Sequence, residues 1–355
     1  MNMAIVLLFM VFAVSSALDM SIISHDNAHA DRATRRTDDE VMSMFEEWLV
    51  KHDKVYNALG EKEKRFQIFK NNLRFIDERN SLNRTYKLGL NVFADLTNAE
   101  YRAMYLRTWD DGPRLDLDTP PRNRYVPRVG DTIPKSVDWR KEGAVTPVKN
   151  QGATCNSCWA FTAVGAVESL VKIKTGDLIS LSEQEVVDCT TSSSRGCGGG
   201  DIQHGYIYIR KNGISLEKDY PYRGDEGKCD SNKKNAIVTI DGHGWVPTQL
   251  EEALKQGIAN QPVAVPIPAD DYEFQYYTSG VFKGKCGTEL NHALLLVGYG
   301  AEKDGDYWIA KNSYSDKWGE NGYIRIQRKL STCKFGNGGY YPIIKVTDQQ
   351  ATKYV

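Results

Sequence analysis

The first 154 of the 355 residues contain no cysteine, whereas the remainder contains seven. A disulfide framework is thereby excluded from the front part, and any sulfur chemistry lies behind residue 154. Neither sign of charge is in excess. Forty-five basic residues oppose 46 acidic ones for a formal net charge of -1, so nothing drives the chain toward nucleic acid or an anionic membrane, and neither partner is expected. Long apolar runs are also missing. Residues 4–14 are apolar, but a bilayer span needs about 20 residues; followed by Ser15, Ser16 and Ala17, the run reads as a secretory signal cleaved near residue 17, although no Lys or Arg precedes it. The six histidines form no H-x3-5-H pair and the cysteines sit at scattered intervals. No zinc site follows from them, and neither metal nor cofactor is expected.

The composition, 41% hydrophobic and 26% charged, is that of a globular chain with a sizeable core. Secretion permits disulfides, and an odd count of seven cysteines leaves one thiol over when three bridges form. Val41, Met44, Phe45, Trp48 and Leu49, then Phe66, Phe69, Leu73 and Ile76, carry helical spacing and predict two amphipathic helices broken near residues 57–60. Residues 110–130 hold four prolines and no apolar period, which predicts a linker. Behind it, helical signals run from Cys158 to Lys174 and through "SEQEVVDC", opened by Ser182 with Glu185 three residues on as a capping box. "AIVTIDGH", "ALLLVGYG", "DYWIAKNS" and "GYIRIQRK" then read as strands. The expected fold class is α+β, a helical lobe before a sheet lobe.

Cys155 and Cys158 stand three apart at the start of a helical run. A metal clip lacks its other ligands, and a thioredoxin-like redox pair lacks the βαβ pattern it needs. The arrangement left is a bridged Cys155 beside Cys158 at the first helical turn, where backbone N–H groups and the helix dipole favour thiolate. Such a nucleophile needs a base, a group orienting that base, and an oxyanion donor.

"CNSCW", His292 in "LNHALLLVGYG" 134 residues after Cys158, and Asn312 in "AKNSYSDKWGENGYIRI" together resemble the papain-like cysteine proteases, most closely the plant-type precursors. The front part matches as well. Glu61, Arg65, Phe69, Asn72, Ile76 and Asn80, and Gly89, Asn91, Phe93 and Asp95 of "GLNVFAD", resemble the two motifs of that family's inhibitory propeptides. The resemblance implies a papain-like two-lobe fold with a cleft between the lobes. A signal peptide over 1–17, an inhibitory propeptide over 18–132 and a peptidase domain over 133–355 would follow, with the sheet lobe starting after about residue 244. It implies a thiol endopeptidase made as an inactive precursor, with Cys158 as nucleophile, His292 as its ion-pair partner, Asn312 orienting the imidazole and Gln151 as oxyanion donor. It also implies bridges Cys155–Cys197, Cys189–Cys229 and Cys286–Cys333, leaving Cys158 as a thiol. Gly199, Gly200, Asp201, Ile202, Pro266, Leu290, Asn291, Ala293 and Trp318 would line the substrate site. Its implied partners are peptide and protein substrates, the chain's own propeptide and cystatin-type inhibitors. A monomer is expected, in the secretory pathway with a vacuole-like or extracellular destination. Asn83-Arg84-Thr85 is a glycosylation sequon.

Three departures from the family pattern carry expectations of their own. Six residues rather than five separate Gln151 from Cys158, which threatens the aim of the Gln151 amide. Tyr314 stands where a Trp usually shields the Asn–His hydrogen bond, which predicts a wetter, weaker bond. Asp201 replaces an aromatic, which would favour a basic substrate side chain in an otherwise apolar pocket, while Pro266 and Pro268 confine their strand to an edge or a bulge. Together these departures support a competing reading, a protease-like binding or storage protein of weak or no activity.

Overall fold

A computed structural model describes residues 36–106, 133–190, 195–246, 251–328 and 332–345. The signal sequence, the 110–130 linker and the tail after residue 345 lie outside the described residues.

Helix α1 (Asp38–Lys51) is opened by a capping box. Thr37 Oγ1 accepts the Glu40 N–H and the Glu40 carboxylate accepts the Thr37 N–H, with Asp38, Asp39 and Glu40 complementing the helix dipole. Gly60, at φ 76°, supplies the turn into α2 (Glu61–Ser81). The two helices close a small core of Val41, Phe45, Trp48, Leu49, Phe66, Phe69, Leu73 and Ala94. Strand β1 (Tyr86–Leu88) and helix α3 (Asn98–Tyr105) follow, the latter under a second capping box between Thr97 and Glu100.

Behind them come β2 (Val137–Asp138), α4 (Cys158–Thr175), α5 (Glu183–Cys189) and α6 (Ile202–Asn212). Every residue of α4 from Cys158 to Val171 is buried, the mark of a helix packed on all sides. The remaining elements are β3 (Gly242–Val246), α7 (Glu251–Asn260), β4 (Val263–Ile267), α8 (Tyr272–Gln275), β5 (Tyr277–Phe282), β6 (His292–Glu302), β7 (Gly305–Lys311), β8 (Tyr323–Gln327) and β9 (Gly339–Ile343). Among the described residues the strands run β1-β5-β8-β7-β6-β4-β9-β3, with β2 also on β6.

Four local expectations change. Ser182 caps α5 through the Glu185 N–H at 2.9 Å, but the Glu185 carboxylate turns instead to the Tyr208 hydroxyl and the Ser215 N–H, both at 2.8 Å. "AIVTIDGH" is not a strand along its length: Val238 bridges Ile214, and regular pairing starts only at Gly242. The order of lobes is broken at residues 137–139, which lie on the sheet, with Val137 opposite Tyr299 and the Trp139 N–H on the Val297 carbonyl. Helix α6 had no counterpart among the expected elements.

Strand β1 belongs to the front part yet pairs antiparallel with β5 of the sheet lobe, Tyr86 opposite Gly280 and Leu88 opposite Tyr277. A Cβ on Gly280 would lie 2.3 Å from the Thr85 carbonyl oxygen, and its φ is 88°, so this approach requires glycine. Pro266 faces Ala293 of β6, while β4 meets β9 only at Ala264. Its missing N–H therefore falls where β4 has an open side.

Candidate active site

Pairing of β6 with β7 sets Leu295 opposite Lys311. That register brings His292, the first residue of β6, beside Asn312, just past the end of β7. His292 Nε2 lies 2.8 Å from Asn312 Oδ1, and the same oxygen accepts the Ser313 N–H at 2.8 Å. Cys158 opens α4 with no acidic residue in the first turn and no side-chain cap on its N-terminus. The dipole and unsatisfied N–H groups there favour a thiolate. All three implied bridges are present, Cys155–Cys197, Cys189–Cys229 and Cys286–Cys333, and Cys158 stands outside them.

The Gln151 segment is pinned to the loop that carries Asn312. The Gln151 N–H donates to the Ser313 carbonyl at 2.9 Å, the Ser313 hydroxyl donates to Gln151 Oε1 at 2.7 Å, and Asn150 bridges Tyr314. Gln151 Nε2 is thereby directed at the carbonyl oxygens of Tyr105, at 3.3 Å, and Cys155, at 3.4 Å. It reaches a backbone carbonyl of the front part, supplied by the end of α3.

Tyr314 does not leave the imidazole wet. It is 1% exposed and stacks on His292 with ring centroids 4.7 Å apart, backed by the edge of Trp318 at 5.8 Å. Its hydroxyl lies 3.4 Å from both His292 Nδ1 and the Tyr101 hydroxyl, so the polar atom that tyrosine adds has partners. Burial pushes the His292 imidazole down to about 4, against the hydrogen bond it donates to Asn312 Oδ1. Under this cover the ring is neutral near pH 7.

The residues expected to line the substrate site separate into two groups. Ile202 and Ala293 are buried and apolar, and Pro266 lies opposite Ala293. Gly200 lies against Trp159, where a Cβ would come within 2.4 Å of the indole, and Gly199 holds φ 103°. Leu290 is half-buried. The others serve the scaffold: Asp201 caps α6 through the Gln203 N–H at 2.8 Å. Asn291 accepts the Ala269 N–H at 2.8 Å and donates to Asp270, and Trp318, fully buried, donates to the Gln275 carbonyl.

The front-part motif residues prove to be clamps. Asn72 donates to the Ala94 and Leu96 carbonyls, Asn91 to the Gln275 and Tyr277 carbonyls, and Asn80 makes two bonds with the Leu88 backbone. Arg65 joins Glu61, Glu100 and the Asp95 carbonyl, while Asp95 pairs with Lys54 at 3.2 Å and accepts from Tyr56. Tyr101, Tyr105 and Ser313 went unnoticed in the sequence, although Thr97-x-x-Glu100 already carries the signature of a helix start there. Among the described residues no cluster of side chains is suited to a metal, and no helix is long and apolar enough to cross a membrane.

Residues 133–343 match the papain family cysteine protease domain, and residues 45–101 match the cathepsin propeptide inhibitor domain. The chain is 52% identical over 351 residues to a protein of Arabidopsis thaliana named probable cysteine protease RD21B, covering 96% of this chain and 75% of that one. Among solved structures, a recombinant stem bromelain precursor superposes with TM-score 0.78 at 40% identity, covering 86% of this chain and all of the other. The proform of Amb a 11, a ragweed pollen allergen and cysteine protease, gives TM-score 0.78 at 37% identity over 88% of this chain and 97% of that one. The chain belongs to the papain family of cysteine proteases and is made with an inhibitory propeptide.

Proposed function

We propose that Cys158 attacks the substrate carbonyl, that His292 receives the thiol proton and returns it to the leaving amine, and that Asn312 holds the imidazole in the orientation this transfer needs. The observation that carries the reading is the 2.8 Å contact of His292 Nε2 with Asn312 Oδ1. Nδ1, which the Tyr314 hydroxyl meets at 3.4 Å in the covered state, is the ring nitrogen we assign to the sulfur at the head of α4. Gln151 Nε2, with the Cys158 N–H, would stabilise the tetrahedral oxyanion. Support comes from the amide already meeting a peptide carbonyl, that of Tyr105. Water then resolves the acyl-enzyme.

The inhibited state follows from the same contacts. With the cleft covered by α3, the imidazole is neutral and the oxyanion donor is occupied, so the ion pair forms only after residues 98–106 withdraw. The precursor boundaries we propose are a signal over 1–17, a propeptide over 18–132 and the protease from 133, its sheet lobe after about residue 244. We place the protein in the secretory pathway, in a vacuole-like or extracellular compartment, as a monomer open to cystatin-type inhibitors. Asn83 is exposed and is our candidate glycosylation site. An apolar side chain suits the second position before the scissile bond, because Ile202, Ala293 and Pro266 offer apolar surface. The Asp201 charge is engaged at the start of α6, which weakens its pull on a basic side chain.

Peptidase activity of the matured protein on fluorogenic dipeptides, with and without reductant, tests the assignment. Cys158→Ala should lower turnover on the order of a million-fold and abolish labelling by an epoxide thiol inhibitor. Retained turnover or labelling in that variant overturns it. Cleavage after Arg at the second position as fast as after Leu overturns the specificity reading.

A further inference from the structure

Residues 152–157 link Gln151 to the head of α4 without regular structure, starting at Gly152 with φ 75°. A loop of that length with one residue more than the family pattern has freedom to turn its first residue, and an oxyanion donor tolerates little turning. Its second half is tied down by the Cys155–Cys197 bridge and by the Asn156 N–H on the Cys197 carbonyl at 2.9 Å. Gln151 meets them only through its Nε2 on the Cys155 carbonyl at 3.4 Å.

Segment 220–224 holds the first half. The Tyr222 hydroxyl donates to the Gln151 carbonyl at 2.7 Å and lies 2.6 Å from the Ser157 hydroxyl, while the Thr154 hydroxyl donates to the Gly224 carbonyl at 2.6 Å. A phenol carries one proton. Because Tyr222 gives its own to Gln151, Ser157 donates to Tyr222, and one oxygen joins the first anchor of the loop to the residue before Cys158. The ring is fixed in turn, edge-on to Phe161 of α4 at 4.8 Å, and the Tyr222 backbone N–H donates to the Glu217 carboxylate at 2.9 Å. Burial pushes the phenol up to about 12, so its proton is present throughout the working range of such an enzyme.

We infer that Tyr222 is a positioning residue for the reaction, aiming the Gln151 amide from the helical-lobe side as Ser313 does from the other, with Thr154 docking the loop on Gly224. The inference rests on the reading of Gln151 as oxyanion donor. Removing such a donor lowers turnover roughly 100- to 1000-fold, and loosening its support costs a fraction of that.

Matured enzyme from the full-length precursor, with active sites counted by epoxide titration, provides the test. Tyr222→Phe should lower kcat about 10-fold at unchanged KM, and Thr154→Val, at an exposed position, about 2-fold. Gln151→Ala should lower kcat by about 100-fold or more, and adding Tyr222→Phe to it should cost nothing further, since the phenol acts through that amide. A full additional loss in the double variant, or unchanged kcat in Tyr222→Phe while Gln151→Ala is impaired, overturns the positioning role alone. Unchanged kcat in Gln151→Ala overturns the oxyanion reading and this inference with it.

Discussion

The propeptide meets the two lobes by different means. Toward the sheet lobe it shares one apolar core, in which Tyr86, Leu88, Phe93, Leu96, Tyr101 and Leu106 pack with Phe274, Tyr276, Phe282 and Trp318, and β1 continues the sheet. None of its described residues enters the core around α4, where the Gln151 amide reaches it. A second contrast lies across the first. Among the described residues the ion pairs of the docking face are those of Glu273 with Arg84 and Arg79 and of Lys317 with Asp53, beside a large apolar core, whereas the propeptide's own fold adds Lys54–Asp95, Arg65–Glu61 and Arg65–Glu100 to a small one. Protonation leaves the apolar core of that face untouched. Acid should therefore loosen the propeptide internally before it weakens the docking surface.

The largest effect is expected at the docking face. Phe93 is 1% exposed, with Tyr105, Tyr101 and Tyr314 rings at 4.7, 5.1 and 5.2 Å. Phe93→Ala should cost about 3–5 kcal/mol of packing and raise the rate at which precursor becomes active at pH 7 on the order of 100-fold. The appearance of peptidase activity with time measures this, and an unchanged lag contradicts the shared core as the holding element. Asp95→Asn removes the charge that Lys54 faces while keeping the side chain's shape. The pair is partly open to solvent, Lys54 at 24% and Asp95 at 4%, so the loss should be nearer 2 kcal/mol than the 3–5 of a fully buried pair. Its distinguishing mark is a lower melting temperature of the propeptide region, with the β1–β5 amides still protected from hydrogen exchange.

Two groups give the acid response its direction. Burial alone would raise Glu100, but the Thr97 N–H and hydroxyl and the Arg65 guanidinium outweigh it and hold the carboxyl below the usual range. Such a group stabilises the folded propeptide above its ordinary value near 4.5 and gives that up as pH falls through the lowered one. His292 acts higher on the scale. Covered, it sits at about 4 against an ordinary 6.5, so a cleft that opens between those values takes up a proton before Cys158 gives up its own. Opening there gains up to about 1.4 kcal/mol per pH unit. Activation should accelerate as pH falls from 6.5 toward 4 and again below the ordinary 4.5 of Glu100; a rate independent of pH over the first interval rules out the His292 contribution, and one unchanged below 4.5 rules out that of Glu100.

Legibility in the sequence followed locality. The α1, α2 and α4 periodicities, the break near Gly60 and the Ser182 cap depend on neighbouring residues and could be read directly. Cys158 could be singled out from the odd cysteine count and its place at a helix start, but His292 and Asn312 only through a family pattern, because the β6–β7 register that joins them is not written in either segment. Asp201 was read as a pocket charge, although a residue of that type before an apolar run is equally an N-cap. The fate of the Glu185 carboxylate was hidden, since Tyr208 and Ser215 are brought to it by packing. So was the covering of the site by Tyr101 and Tyr105, which depends on β1 joining a strand about 190 residues away.

The smallest expected effect sharpens the contrast between the apolar face and the charged interior. His52, just past the end of α1, is buried with no hydrogen-bond partner on either ring nitrogen, and it packs against Trp48 at 5.1 Å. Burial first, then the charges of Lys51, Lys317 and Lys54, push its imidazole down to about 4, opposed by Asp95. Lys317 belongs to the protease and meets the Lys51 carbonyl and Asp53 at this edge. A neutral His52 therefore suits the docked propeptide, and charging it disfavours docking. Because its value is lowered, protonation favours the loosened form below about pH 6.5, adding one proton to the uptake already assigned to His292. His52→Gln keeps a polar side chain of similar reach but cannot take up that proton. Activation of this variant should depend on pH less steeply by up to one proton between pH 6.5 and 4, with its pH 7 rate changed only a few-fold. An unaltered slope would remove His52 from the acid response and leave it to Glu100 and His292.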